Sequence, residues 1–166
     1  MSCQIREATP DDCGLILHYI NALALYEKLE HEVVATLDIV RDSFFRPNAT
    51  THALIAERNG APIGFAVYFY NFSTFLGRAG IYIEDIYIDP EHRGFGAGKQ
   101  IIQYLAAKAK RENCGRLEWW VLDWNEPSIE FYKRLGAVAM DEWTVYRVSG
   151  KALDNLAIGK LEKELA

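Results

Sequence analysis

The run Arg93-Gly94-Phe95-Gly96-Ala97-Gly98 constrains the fold of this chain more than any other segment. It follows a β-type stretch, Ala79 to Ile88, that Asp89-Pro90 stops, because proline has no amide donor to continue a ladder. It opens a helical stretch, Gly96 to Glu112, in which Ile101, Ile102, Leu105, Ala106 and Ala109 share one face while Lys99, Gln103, Lys108 and Lys110 lie mostly outside it. Strand, glycine-rich turn and long helix in that order are the parts of an α/β sheet that present helix amides to a ligand. Glycines accept positive φ and let successive N–H groups converge on phosphate oxygens. No Ser, Thr, Asp or Asn caps the helix, so a pyrophosphate can take that role, with Arg93 adding a charge-assisted contact.

The rest of the chain alternates strands and helices around this turn. Ile5 to Glu7 predicts a short strand, and Thr9-Pro10-Asp11-Asp12 supplies a cap, a proline for the first turn and acids for the positive end of a helix running to about Leu29. In that helix Leu15, Ile16, Tyr19, Ile20, Leu23 and Tyr26 recur at three- and four-residue spacing. Thr36 to Phe44 predicts a second, shorter helix. Thr51 to Arg58 and Ile63 to Tyr70 read as a hairpin closed by Asn59-Gly60-Ala61-Pro62. Leu117 to Leu122 is a nearly continuous buried-type strand, parallel to the one before the turn because a helix intervenes, and Glu126 to Leu135 is helical. Ala137 to Met140 and Trp143 to Val148 predict a closing antiparallel pair, and Lys151 to Leu165 a last helix. The expectation is an α/β chain with one mixed sheet and one domain over residues 1–166, since no repeat or linker-like run interrupts it.

Composition sets the class of partner. At 166 residues, 50% hydrophobic and 25% charged, the chain is globular, with no apolar run of membrane length. Its opening residues lack the basic region and apolar run of a secretory signal, which makes the cytoplasm the expected location. A net charge of −5 disfavours nonspecific nucleic-acid binding and suits a cationic small substrate. Cys3, Cys13 and Cys114 suggest neither a disulfide framework nor a CxxC site, and the four histidines have no metal-ligand spacing, so no metal is expected. Three phosphate readings compete at the turn. Gly98-Lys99-Gln100 lacks the Ser or Thr of a Walker loop. A dinucleotide fingerprint finds an acid in Glu118, about twenty residues on, but the glycine spacing is GxGxG and no second mononucleotide half follows. The pyrophosphate of a different cofactor is the third, and an ordinary glycine-rich turn without a ligand stands against all of them.

Arg93-x-x-Gly96-x-Gly98, placed after a strand and before a helix, resembles the acetyl-CoA motif of the GNAT acetyltransferase superfamily. Trp124 to Arg134 is similar to the corresponding helix of its spermidine/spermine branch, as are Ile5 to Cys13 and Tyr26-Glu27-Lys28-Leu29 to that branch's opening, and Tyr26 to Leu29 also to relatives that acetylate thialysine and short diamines. The resemblance implies a mixed, mostly antiparallel seven-stranded sheet with a central parallel pair that splays near Ile86, Tyr87 and Ile88 to admit the pantetheine arm, flanking helices, and a homodimer. It implies acetyl-CoA as cosubstrate, bound by Ile86 to Ile88, by Arg93, Gly94, Phe95, Gly96, Ala97, Gly98 and Lys99, and by Asn125, Ser128 and Lys133. The implied reaction is acetyl transfer to a primary amine of a small cationic acceptor by direct attack in a ternary complex. A noncatalytic acyl-CoA sensor and an acetyltransferase of protein lysine are the alternatives.

An alkylammonium near pKa 10.4 is almost entirely protonated at pH 7, so the site must remove a proton before nitrogen can attack. Glu84 is the candidate base, acting through water or by orienting the amine, because it and Asp85 lie in the strand just before the cofactor turn. Asp85 is the substrate-binding candidate, solvated edge-strand charges are the other reading of the pair, and alternation along a strand is expected to send only one of the two into the cleft. Tyr132, a phenol that stays protonated at neutral pH, is the candidate acid for the departing thiolate, with helix packing beside Phe131 as its other reading. Tyr26, Glu27, Asp141 and Trp143 resemble the amine-binding end of the family, where carboxylates and an aromatic surface suit a cation.

Overall fold

The computed structural model describes residues 3–160, which fall into two compact units, one ending at Trp120 and the other beginning at Val121. In the first unit β1 (Gln4–Glu7), β2 (Thr51–Arg58), β3 (Ala61–Ser73), β4 (Arg78–Ile88) and β5 (Leu117–Trp119) form one sheet in chain order. The first three pairings are antiparallel; β4 and β5 are parallel, with Ile81 opposite Leu117 and Ile83 opposite Trp119. Three helices, α1 (Cys13–Glu27), α2 (Leu37–Phe45) and α3 (Ala97–Arg111), cover it. The β2–β3 turn forms at Asn59-Gly60, both with positive φ (54° and 77°), as a two-residue hairpin of matching twist requires.

Both faces of the sheet are covered, which is why Ala53, Leu54, Ile55 and Ala56 of β2 are all buried despite pointing alternately. Ile16 and Tyr19 of α1 and Val40 of α2 pack with Ala53, Ile55, Phe65, Val67 and Tyr87. Ile101, Ile102, Leu105 and Ala109 form the buried stripe of α3, which lies against β1, β2, β4 and β5. Each large aliphatic or aromatic side chain so buried contributes roughly 1.5–3 kcal/mol. Two polar ties fix α1 to the sheet. Arg6 grips Asp12 with both terminal nitrogens (2.7 and 2.9 Å) and Glu57 with Nε (2.7 Å), and the Tyr19 hydroxyl donates to Asp89 at the end of β4 (3.3 Å).

β4 is irregular where it matters. Val67 pairs with Asp85 and Tyr68 with Ile83, so Glu84 has no partner opposite and forms a β-bulge. Pairing with β5 also stops at Ile83, so Glu84 to Ile88 continue without a β5 partner. The parallel pair and its opening match the expectation; the extent of β5 does not, since it ends at Trp119 rather than Leu122.

The second unit contains α4 (Glu126–Arg134) and α5 (Gly150–Ala157). The closing strands expected at 137–140 and 143–148 are not formed among the described residues, so the sheet has five strands, not seven. Alternation of apolar residues is present there, but a strand persists only when a neighbour takes up its N–H and C=O groups. Val138, Met140, Trp143 and Tyr146 are instead exposed. Of the last expected helix, 151–165, the part from Leu161 onward lies outside the described residues.

Candidate active site

The glycine turn is built by local chemistry. Pro90–His92 make a single 3-10 turn after β4, Gly94 and Gly96 adopt φ of 80° and 86°, and α3 begins at Ala97. The first helical bond there runs from Gln100 N to Gly96 O (3.0 Å), and no side chain caps the helix. The amides of Ala97, Gly98 and Lys99 therefore point out of the helix end without intrahelical acceptors. A Cβ built at Gly94 or Gly96 would meet nothing within 4 Å, so the positive φ and not crowding selects glycine at both. The side chain of Arg93 turns inward: Nε donates to Ile88 O (2.8 Å), and the guanidinium lies over the rings of Tyr26 (4.7 Å) and Tyr87 (5.3 Å). It ties the turn to β4 and α1. A second cation reaches the turn unforeseen, Arg58 at the end of β2, whose guanidinium lies over the Phe95 ring at 4.6 Å.

Beside α1 the bulge in β4 opens onto a cavity of about 410 Å³. Ile20, Leu23, Ala24 and Val33 give it apolar walls, and Glu27, Glu32, Glu84 and Asp85 give it acids; among the described residues no Lys, Arg or His lines it. Glu27 is the last residue of α1, held there by a left-handed Lys28 whose amide caps the helix onto Ala24 and Leu25 carbonyls. Glu84 and Asp85 both line the cavity, against the expectation that alternation sends only one inward. The bulge is the reason: with Glu84 unpaired, the pleat is locally reset and neighbouring side chains share a face. Glu84 is exposed and Asp85 half-buried. Burial pushes the Asp85 carboxyl up to about 7, with the charges of Glu84 and Glu27 adding to the shift, and burial raises Glu27 as well. Among the described residues none of these three acids has a hydrogen bond or ion pair.

The second unit carries the remaining candidates. Asn125 is buried at the start of α4, Ser128 and Tyr132 are half-buried, and the Tyr132 ring lies 5.3 Å from that of Phe131. Lys133 is exposed and pairs with Glu130 (3.0 Å). Asp141 and Trp143 stand exposed at a turn closed by Trp143 N to Met140 O (3.1 Å). Within the first unit the structure thus gathers Glu27, Glu84 and Asp85 at one cavity and sets Tyr26 under Arg93. Glu32 and Val33, which complete the cavity wall, carry no periodic or motif signal in the sequence.

Residues 16–137 match the model of the acetyltransferase (GNAT) family, and the chain belongs to that family. Among its relatives, the thialysine N-epsilon-acetyltransferase of Bos taurus is 40% identical over 92% of this chain and 96% of its own length. The L-ornithine N5-acetyltransferase of Arabidopsis thaliana is 32% identical over 97% and 90%. Among solved structures, an integron cassette protein from V. cholerae superposes with a TM-score of 0.78 at 26% identity, covering 95% of this chain and 98% of that one.

Proposed function

We propose that the chain transfers the acetyl group of acetyl-CoA to a primary amine of a small cationic acceptor, a diamine, a polyamine or a thialysine-like aminoalkyl amino acid. The observation that carries this reading is the cavity whose walls, among the described residues, hold four acids and no base. An alkyl chain suits its apolar side and an ammonium its carboxylates. The names of the two relatives, acetyltransferases of aminoalkyl amino acids, support the same acceptor class.

The residues present fit the cosubstrate. The uncapped amides at the start of α3, with Gly94 and Gly96 leaving the backbone bare, suit the pyrophosphate. Ile86 to Ile88, unpaired on the β5 side, offer backbone groups to the amides of the pantetheine arm, as a sheet edge does to an added strand. Bound there, acetyl-CoA supplies the thioester. Glu27 and the Glu84–Asp85 pair hold the ammonium and relieve it of a proton. The family resemblance adds Tyr132 as proton donor to the thiolate, Asn125, Ser128 and Lys133 as cosubstrate contacts, and Tyr26, Asp141 and Trp143 at the amine end. It also carries the expectation of a homodimer, while the single catalytic domain and the cytoplasmic location are expectations from chain length and from the opening residues.

Acetyl-CoA turnover measured against a panel of 1,4-diaminobutane, spermidine, S-(2-aminoethyl)-L-cysteine, L-ornithine and a lysine-containing peptide tests the reading. Acetylation of at least one small cationic amine in preference to the peptide is expected. CoA binding without turnover points to the acyl-CoA sensor, and acetylation of the peptide alone to a protein substrate; either result overturns the proposal.

A further inference from the structure

We propose that Asp85, rather than Glu84, takes the proton from the acceptor's ammonium, a refinement that rests on the cavity being the acceptor site. Three features of the geometry separate the neighbours. Glu84 is the unpaired residue of the bulge and is exposed, so water competes for whatever it binds. Asp85 is in register with Val67 of β3, which fixes its backbone, and its carboxyl is half-buried against the apolar wall. Among the described residues, every charged group that lines the cavity with it is an acid: Glu84 on its own strand, Glu27 from α1, and Glu32 from the 3-10 turn that follows α1. An unpartnered carboxylate in that setting is relieved by a cation or by a proton, and an arriving ammonium brings both.

The chemistry agrees with this choice. A carboxyl of ordinary acidity lies about six and a half powers of ten below an alkylammonium in proton affinity. With Asp85 raised to about 7 by burial and then by Glu84 and Glu27, the gap narrows to roughly three and a half. General bases work best when tuned this way toward the working pH. In the step itself one N–H bond of R–NH3+ breaks and one O–H bond forms on Asp85, leaving R–NH2 and a neutral carboxylic acid. The nitrogen lone pair then forms the C–N bond to the acetyl carbon as the C–S bond breaks. Of the two protons left on nitrogen, one stays on the amide and one balances the sulfur, which leaves as the thiol. Asp85 returns its proton to solvent, which reaches the cavity beside exposed Glu84.

The test is the pH dependence of kcat/KM for the wild type, Asp85→Asn and Glu84→Gln, with two acceptors. The first, 1,4-diaminobutane, is doubly protonated at pH 8. The second, 1,2-diaminoethane, already carries one neutral amine there, because two ammoniums so close repel. With 1,4-diaminobutane the wild type should show an acid limb near pH 7, rising as Asp85 ionises. Asp85→Asn should lose that limb and fall about a hundredfold or more in kcat, and the loss should shrink at least tenfold with 1,2-diaminoethane. Glu84→Gln should raise KM for the amine while keeping the limb, moved to lower pH because the charge of Glu84 helps to hold the Asp85 carboxyl up. CoA affinity, measured alongside, verifies that each variant is folded. Retention of the limb in Asp85→Asn, or its loss in Glu84→Gln, overturns the assignment while leaving the acetyltransferase reading intact. A wild type that acetylates no amine overturns both.

Discussion

Two groups of acids in the first unit, built from the same residue types, are treated in opposite ways. Asp12 is gripped by Arg6 and also accepts from the Thr9 amide (2.7 Å); Glu57 shares the same arginine. Glu7 accepts from the hydroxyls of Tyr68 (3.1 Å) and Tyr104 (3.3 Å), and Lys108 bridges it (3.5 Å) to Glu112 (3.1 Å), which also accepts from Tyr70 (2.6 Å). At the cavity, Glu27, Glu84 and Asp85 have no such partner among the described residues. Where these acids serve the fold, the chain supplies their donors; where three acids converge and the described residues supply none, the proposed function has the missing charge come from outside. Isolated carboxylates in an apolar wall cost stability, and groups perturbed in this way cluster at functional sites.

Breaking one member of each group should therefore change stability in opposite directions. The larger effect is expected at the cavity. Because the folded-state pKa of Asp85, about 7, lies above the unfolded value near 3.9, the folded protein holds a proton that the unfolded chain releases. Stability is thus lost as pH rises from about 4 to 7, by up to about 4 kcal/mol, and stays lost above that. Asp85→Asn should remove this loss: urea unfolding at pH 8 should find the variant more stable than the wild type, and at pH 4 the two should agree. A variant equally stable or less stable at pH 8 breaks the contrast. In the closed network the sign reverses. Arg6→Ala leaves Asp12 and Glu57 without their donor and should cost about 2–3 kcal/mol. Asp12 is held down to about 2, first by its hydrogen bond from Arg6, so its contribution is full above the unfolded pKa near 3.9 and lost as pH falls through 2. Urea unfolding across pH 5 to 2 should show that acid loss in the wild type and only a remnant in Arg6→Ala.

What could be read from the sequence was what short stretches determine. β4 ends at Ile88, where Asp89-Pro90 was expected to stop it, Asn59-Gly60 makes the hairpin, and the α3 stripe is buried as its spacing requires, because each depends on neighbours a few residues away. The glycine turn was legible for the same reason. Pairing across the sheet was not. The bulge that brings Glu84 and Asp85 to one cavity depends on register against Val67 and Tyr68, fixed by contacts with a strand distant in sequence. The inward turn of Arg93 depends on Tyr26 and Tyr87, and the wall at Glu32 and Val33 on how the segment after α1 folds back. In 137–148 the alternation was present and the partner was not, which is why the expected closing strands do not form among the described residues.

The central claim, that the unpartnered acids of the cavity await an organic cation, is tested most directly by calorimetric titration of 1,4-diaminobutane into the CoA-saturated protein at pH 7, in two buffers of different ionisation enthalpy. With Asp85 about half protonated at that pH, binding should release roughly half a proton per site. In Asp85→Asn the diamine should bind more weakly and release none. The absence of binding, or equal affinity and equal proton release in both proteins, would contradict it.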